Sequence, residues 1–203
     1  MKCRRLTFLS LVFAVVSAGA AHAQFDVSGS FYEALTSSTS GNGTKQTPTN
    51  TEGGMIEARY VKSSLAGFAF SYSYNRANQT FAPNGTACDF VCANPVTSLT
   101  ASANEVALAW APSMKIGRIR PFAVGGLGFF ITVPGSTPYG NNTVVRPVYV
   151  FGGGLDFSLM SHFGIRVQYR DNLYKAPDLS ALYPTTGAFT SSSEPMGGLF
   201  YRF

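Results

Sequence analysis

The feature that most constrains this chain is a series of eight runs in which apolar or aromatic side chains alternate with small or polar ones. In the clearest run four aromatic residues share one face: Phe68, Phe70, Tyr72 and Tyr74. A period of two is typical of β-strands. The sequence therefore predicts an all-β chain, with strands at about 25–36, 54–62, 67–76, 101–111, 120–133, 147–158, 163–174 and 194–203. The faces of run 120–133 cannot be assigned, because Gly125, Gly126 and Gly128 blur its alternation.

The connections between these runs alternate in length. Four are long and rich in Ser, Thr, Gly, Asn and Pro, at residues 37–53, 77–100, 134–146 and 175–193. Three are short turns, at 63–66, 112–118 and 159–162. A chain that makes eight passes ends on the side where it began, so the long loops share one rim and the short turns share the other. This asymmetry is typical of membrane β-barrels.

The first 23 residues predict a cleavable signal peptide. A basic start, Met1 to Arg5, precedes an uncharged apolar run, and Ala21-His22-Ala23 supplies the small-x-small pattern that signal peptidase cuts. The apolar run is shorter than the roughly 20 residues that a spanning helix needs. The predicted mature chain is one domain, 24–203, with twelve Lys and Arg against ten Asp and Glu, a net charge of +2. This near balance removes the main support for nucleic-acid binding.

Composition favours a barrel that faces lipid. Charged residues make up 12% of the chain and aromatic residues 14%, whereas globular proteins average about 25% charged residues. After the signal peptide no run of 18 apolar residues follows, so no transmembrane helix is expected. With the alternation and the loop asymmetry, this predicts an eight-stranded antiparallel transmembrane β-barrel with its aromatic faces outward.

The faces opposite the aromatic ones carry charges that would project into the barrel interior. They are Glu57, Arg59, Glu105, Asp156, Arg166, Arg170 and Arg202. An eight-stranded barrel is just wide enough inside for side chains to fill, and buried charges must be paired or hydrated. We therefore predict a mutually neutralising network that plugs the lumen, with Gly152 and Gly154 leaving room for the arginines. A narrow porin-like channel is the alternative.

Several segments resemble a known family. Residues 152–157 and 162–171 are similar to the penultimate hairpin of small outer-membrane β-barrel domains of the OmpA transmembrane-domain, OmpX and Opacity-protein type, and 120–128 is similar to the preceding strand. The resemblance implies a barrel in the bacterial cell outer membrane, with outer-membrane lipid and the barrel-assembly machinery as partners. It implies no shared biochemical activity.

The chain ends on an aromatic strand. Leu199, Tyr201 and Phe203 share one face, and Arg202 lies on the other. An exposed aromatic edge would invite pairing with another chain in water, but in a barrel the edge is closed against the first strand. The segment also resembles the family's C-terminal signal for barrel assembly, which would involve the same three outward residues.

Two other classes of function remain open. Some small outer-membrane barrels modify lipids, and Ser161 is adjacent to His162, but no acidic orienter is evident and both fall in a predicted periplasmic turn. We therefore expect that the protein is not an enzyme. A soluble lipocalin-like binder would instead turn the aromatic face of 67–76 towards an internal ligand. No metal cluster, phosphate loop or nucleotide motif occurs, so we expect no cofactor.

The four long loops are the candidate surface for a partner outside the cell, since scaffold proteins place recognition on loops. Plain solvated connections are the alternative. Cys88 and Cys92 lie in the second loop, and export to an oxidising compartment predicts a disulfide between them, with two free thiols as the alternative. The expected role is structural or surface-interacting.

Overall fold

The computed structural model describes residues 24–84, 96–135, 140 and 142–203. Within these ranges the chain is all-β, with ten strands in one antiparallel sheet. The strands are β1 (Gln24–Thr36), β2 (Thr39–Gly41), β3 (Thr44–Pro48), β4 (Thr51–Val61), β5 (Gly67–Pro83), β6 (Thr97–Trp110), β7 (Ile119–Pro134), β8 (Val144–Ser158), β9 (Phe163–Lys175) and β10 (Phe189–Arg202).

Eight of these strands close into a barrel. β1 pairs with β4, each strand from β4 to β10 pairs with the next, and β10 pairs back with β1. The closing register places Asp26 opposite Arg202 and Tyr32 opposite Met196. Closure satisfies the edge of every wall strand, as a lipid-facing sheet requires. The predicted eight-stranded antiparallel barrel is confirmed.

The prediction that residues 37–53 form a loop without regular structure is wrong. The segment contains the β2–β3 hairpin, which turns at Asn42 and Gly43 with positive φ angles of 49° and 73°. Asn-Gly is the dipeptide that favours this two-residue hairpin turn. β3 then pairs with the far end of β5, where Thr44 lies opposite Pro83. The hairpin thus extends the barrel wall beyond the closed part.

The other three long loops are shorter than predicted, because the strands run further. β5 continues to Pro83 and β6 begins at Thr97, so both ends of segment 77–100 are strand. β8 begins at Val144 and β10 at Phe189, inside the predicted loops 134–146 and 175–193. The error has a physical cause. Polar residues, above all the Ser and Thr of 189–193, were taken as loop composition, although Thr fits a pleated strand well.

The two faces of the wall follow the predicted alternation. Phe68 and Phe70 are 53% and 52% exposed, whereas Ala69 and Ser71, which alternate with them, are buried. The lipocalin-like alternative, which would turn the aromatic face of 67–76 towards the interior, is therefore wrong. β7, whose faces the sequence left open, points Arg120, Phe122, Val124, Phe130 and Thr132 inward.

Two sequence predictions lie outside the described residues. They are the signal peptide, 1–23, and the disulfide between Cys88 and Cys92. Where the structure describes the chain, no helix is long and apolar enough to cross a membrane.

Candidate functional site

The lumen is the candidate site, and Arg166 is its centre. From β9 its guanidinium donates to carboxylates on three other strands: to Asp26 Oδ1 of β1 at 2.8 Å, to Glu57 Oε1 of β4 at 2.8 Å and to Asp156 Oδ1 of β8 at 2.7 Å. Nη1 also donates to Ser28 Oγ at 2.9 Å. Arg166, Asp26 and Asp156 have no exposed side-chain surface. One side chain thus joins four strands across the barrel.

Arg59 forms the second layer of the same network. Its Nη2 donates to Glu57 Oε1 at 2.7 Å, and its Nη1 lies 3.6 Å from Asp156 Oδ2. The guanidinium carbon sits 3.9 Å from the ring centroid of Phe122. Cation–π contact of this kind adds to the ion pairs where the arginine is desolvated.

Glycines provide the space for the aromatic rings beneath these arginines. A Cβ on Gly154 would lie 2.7 Å from Phe122 Cζ, and one on Gly164 would lie 2.6 Å from Phe200 Cε1. The prediction that Gly154 leaves room for an arginine is thus corrected: it leaves room for the backbone of β9 at Val167 and for the phenyl ring on which the arginine rests.

Arg202, predicted to join from the closing strand, lies at the edge of the network. Its Nη2 is 3.7 Å from Asp156 Oδ2 and 3.9 Å from Asp26 Oδ2, and its guanidinium carbon is 4.8 Å from the Phe200 ring centroid. These distances are longer than those around Arg166, so Arg202 contributes charge neutralisation more than directed hydrogen bonds.

Arg170 and Glu105 form a separate ion pair, because Arg170 lies four residues beyond Arg166 on β9. Arg170 Nη2 contacts Glu105 Oε1, and its Nη1 donates to Ser71 Oγ at 3.1 Å. Glu194 lies opposite Arg170 in the β9–β10 register and is also buried. The predicted single network is therefore two clusters at different heights on β9.

Sequence reasoning missed three members of the set. Ten charged residues are buried among those described, five acids and five arginines: Asp26, Glu57, Glu105, Asp156, Glu194, Arg59, Arg120, Arg166, Arg170 and Arg202. Asp26 and Glu194 each lie two residues before a buried residue, Ser28 and Met196. The alternation of each strand therefore also places Asp26 and Glu194 inside. Arg120, whose Nη2 contacts Gln24 Oε1, lay on the run that glycines blur.

A cap covers the lumen at the long-loop end. It is the segment 176–188, whose Leu179 is fully buried and packs with Tyr183 against Phe81, Leu99 and Ala101 of the inner wall. Asn42 Nδ2 of the hairpin donates to the Thr185 carbonyl at 2.9 Å. Burial of these apolar groups, about 1.5–3 kcal/mol for each large side chain, fixes the cap.

Below the cap the lumen is almost filled. The cavity there measures about 30 Å³, room for on the order of two water molecules. It ends on a layer in which the Phe130 and Tyr174 rings stack with centroids 4.3 Å apart. Along the lumen, β9 therefore carries Arg166, Arg170 and Tyr174 inward at three successive levels.

The outer face carries the predicted lipid-facing residues. Leu199, Tyr201 and Phe203 are 51%, 48% and 71% exposed. Phe203 packs on Phe25 of β1 with ring centroids 5.7 Å apart, and its N–H donates to the Phe25 carbonyl at 2.9 Å. The closing strand thus seals against the first strand down to its last residue.

His162 lies in an exposed turn, as predicted. Ser161 Oγ is 2.9 Å from His162 Nδ1, and the imidazole stacks on Tyr201 with centroids 6.0 Å apart. Among the described residues no carboxylate hydrogen-bonds to this ring, and no group of three or more His, Cys, Asp or Glu side chains is placed to hold a metal ion.

A closed barrel with an apolar wall and a charged, filled interior defines the class of small outer-membrane β-barrels. Three solved structures are similar to this chain. They are Neisserial surface protein A (13% identity, TM-score 0.58, covering 88% of this chain and 97% of that one), OprG from Pseudomonas aeruginosa (12%, 0.56, 89% and 96%) and Ail of Yersinia pestis in complex with the heparin analogue sucrose octasulfate (15%, 0.53, 90% and 99%).

No protein-family model matches the sequence, and no curated protein matches it. The structural likeness shows the fold. It confirms the resemblance to OmpA-type barrels at the level of the fold.

Proposed function

We propose that the protein is a non-conducting outer-membrane barrel that acts as a structural or surface-interacting scaffold. The observation that carries the proposal is the contact of Arg166 with three carboxylates from three other strands. Any ion crossing the lumen would have to break charge-assisted bonds in a site with no exposed surface, where an unpaired charge is costly.

The other levels of the lumen support the same conclusion. The Arg170–Glu105 pair, the Phe130–Tyr174 stack and the cap place further side chains across the lumen above Arg166. Proteoliposomes containing the purified protein should release a small entrapped sugar no faster than empty vesicles, with an open porin as positive control. Release that rises in proportion to the amount of folded protein would contradict the closed lumen.

The surface role rests on the wall that continues beyond the barrel. The β2–β3 hairpin, the far ends of β5 and β6 and the cap form one hydrogen-bonded collar, defined by residues 39–48, 77–83, 97–102 and 176–188. A collar that is ordered before binding loses less conformational entropy on contact with a partner. We infer that a partner outside the cell binds through the predicted loop segments 37–53, 77–100, 134–146 and 175–193.

Adhesion tests this role. Cells producing the wild-type chain should bind cultured animal cells, heparin-coated plastic or sister cells better than cells lacking it. Replacing 39–48 with a short Gly/Ser connection should remove the gain while heat-modifiable migration of the barrel is kept. Equal adhesion on all three surfaces with and without the protein would contradict the proposal.

We propose no enzymatic role. Ser161 and His162 contact each other but lie in an exposed turn, and no acidic group orients the ring among the described residues. A Ser–His pair acts as a nucleophile and base when a third group orients the imidazole. Lipid deacylation by the purified protein, lost in His162→Ala, would overturn this view.

A further inference from the structure

We propose that the short-turn rim of the barrel binds the anionic headgroups of phospholipids in the inner leaflet of the outer membrane. This rim is formed by the β4–β5 turn (62–66), the β6–β7 turn (111–118) and the β8–β9 turn (159–162). It lies at the opposite end from the collar, and the inference does not depend on whether the lumen conducts.

The charged side chains of the three turns are of one sign. Lys62, Lys115 and Arg118 are exposed and make no ion pair within the described chain. The three turns contain no Asp or Glu. The collar end differs, since exposed charges of both signs occur there: Glu33, Lys45, Glu52 and Lys175. Cations without carboxylate neighbours are suited to a phosphate-bearing surface.

Large apolar side chains stand among these cations. Each of the three turns has at least one: Leu65, Met114, Ile116, Leu159 and Met160, which are 72%, 55%, 57%, 56% and 72% exposed. Turns that project into water gain nothing from such residues. Apolar and basic side chains placed together fit the headgroup layer, where the first reach the acyl chains and the second meet phosphates.

The rim is also held at the depth of the membrane interface. Trp110, at the end of β6, donates from Nε1 to the Leu65 carbonyl at 2.6 Å, and tryptophan is enriched at the headgroup level. Ser113 N–H donates to the Ser64 carbonyl at 2.8 Å, which ties the two basic turns together. Lys62, Lys115 and Arg118 therefore belong to one ordered platform beside Trp110.

The apolar residues decide between possible anions. A soluble polyanion or an acidic protein domain would satisfy the three cations but leave Leu65, Met114 and Ile116 in water. Anionic phospholipid satisfies both groups at once. We therefore assign the rim to phospholipid, with phosphatidylglycerol as the simplest probe.

Trp110 makes this rim directly measurable, because it is the single tryptophan of the chain. The full protein would be reconstituted into phosphatidylcholine vesicles containing the same small fraction of brominated lipid, either phosphatidylglycerol or phosphatidylcholine. Brominated phosphatidylglycerol should quench Trp110 more strongly, corresponding to a local enrichment of about twofold or more at low salt. The difference should shrink as salt screens the charges.

Two matched triple variants identify the residues responsible. Lys62→Gln, Lys115→Gln and Arg118→Gln together should bring the two quenching curves together. The control variant removes three exposed cations at the other end of the barrel, by Lys45→Gln, Arg76→Gln and Lys175→Gln. It should keep the wild-type difference in quenching between the two brominated lipids. Equal quenching by both lipids in the wild-type protein, or the same loss in both triple variants, would overturn the proposal.

Discussion

The guanidinium carbon of Arg59 lies 3.9 Å from the centroid of the Phe122 ring, and that ring occupies the space which a side chain at residue 154 would need. An arginine on β4, an aromatic on β7 and a glycine on β8 thus depend on one another. Phe122 therefore walls one side of the ion network from β7, the strand whose faces the alternation could not assign.

Gly154→Ala tests this dependence. The new Cβ would meet Phe122 Cζ at 2.7 Å and the Val167 carbonyl oxygen on the neighbouring strand. Overpacking should lower the free energy of unfolding by about 1–3 kcal/mol, measured by urea unfolding in lipid vesicles. Gly125→Ala is the matched control, since nothing lies within 4 Å of its Cβ position. Equal stability of the two variants would show that the ring can move aside without cost.

Arg166→Met tests the centre of the network. The substitution leaves Asp26, Glu57 and Asp156 buried with less positive charge, which should destabilise the barrel by about 3–5 kcal/mol. Arg76→Met removes an exposed arginine and should change the unfolding free energy by no more than about 0.5 kcal/mol. If the two variants unfold at the same urea concentration, Arg166 does not organise the lumen.

Leu179→Ser tests the cap. Leu179 is fully buried against Phe81 and Leu99, so a hydroxymethyl group there should release the segment 176–188 and expose it to proteinase K. The barrel should keep its heat-modifiable migration, because the closed wall does not use this contact. Ala181→Ser, at an exposed position of the same segment, should stay as resistant as the wild-type protein. Cleavage of both variants at equal rates would mean that the cap is not held by Leu179.

Phe203→Ala separates two roles of the last residue. If Phe203 only packs on Phe25, then Phe25→Ala and Phe203→Ala should lower outer-membrane levels in cells to the same extent. We expect Phe203→Ala to lower them further, while the two purified variants fold into vesicles at similar rates. Equal levels in cells would leave the packing role and remove the assembly signal.

The sequence predicts which side of the wall a side chain faces, because facing follows the two-residue period of a strand. Alternation was sufficient to place Glu57, Arg59, Glu105, Asp156, Arg166, Arg170 and Arg202 inside. It failed at Arg120, because glycines on both faces carry no polarity to count. The separation into two clusters could not be predicted either, since it follows from the register between strands.

The collar, including its cap, could not be predicted for a different reason. Leu179 meets Phe81 and Leu99 across large sequence separations, and Asn42 meets Thr185 in the same way. No local pattern marks such contacts. The polar composition of the collar also matches that of a loop, although backbone pairing between β3 and β5 makes it strand.

Single-channel recording in planar bilayers tests the central claim most directly. The wild-type protein, folded and purified, should give no stable openings at moderate voltage in concentrated salt if Arg166 and its three carboxylates close the lumen as we propose. Arg166→Ala combined with Leu179→Ser, if it still folds, should show openings that the wild-type protein lacks. Frequent and stable openings from the wild-type protein, at a rate that follows its folded fraction, would contradict the closed barrel.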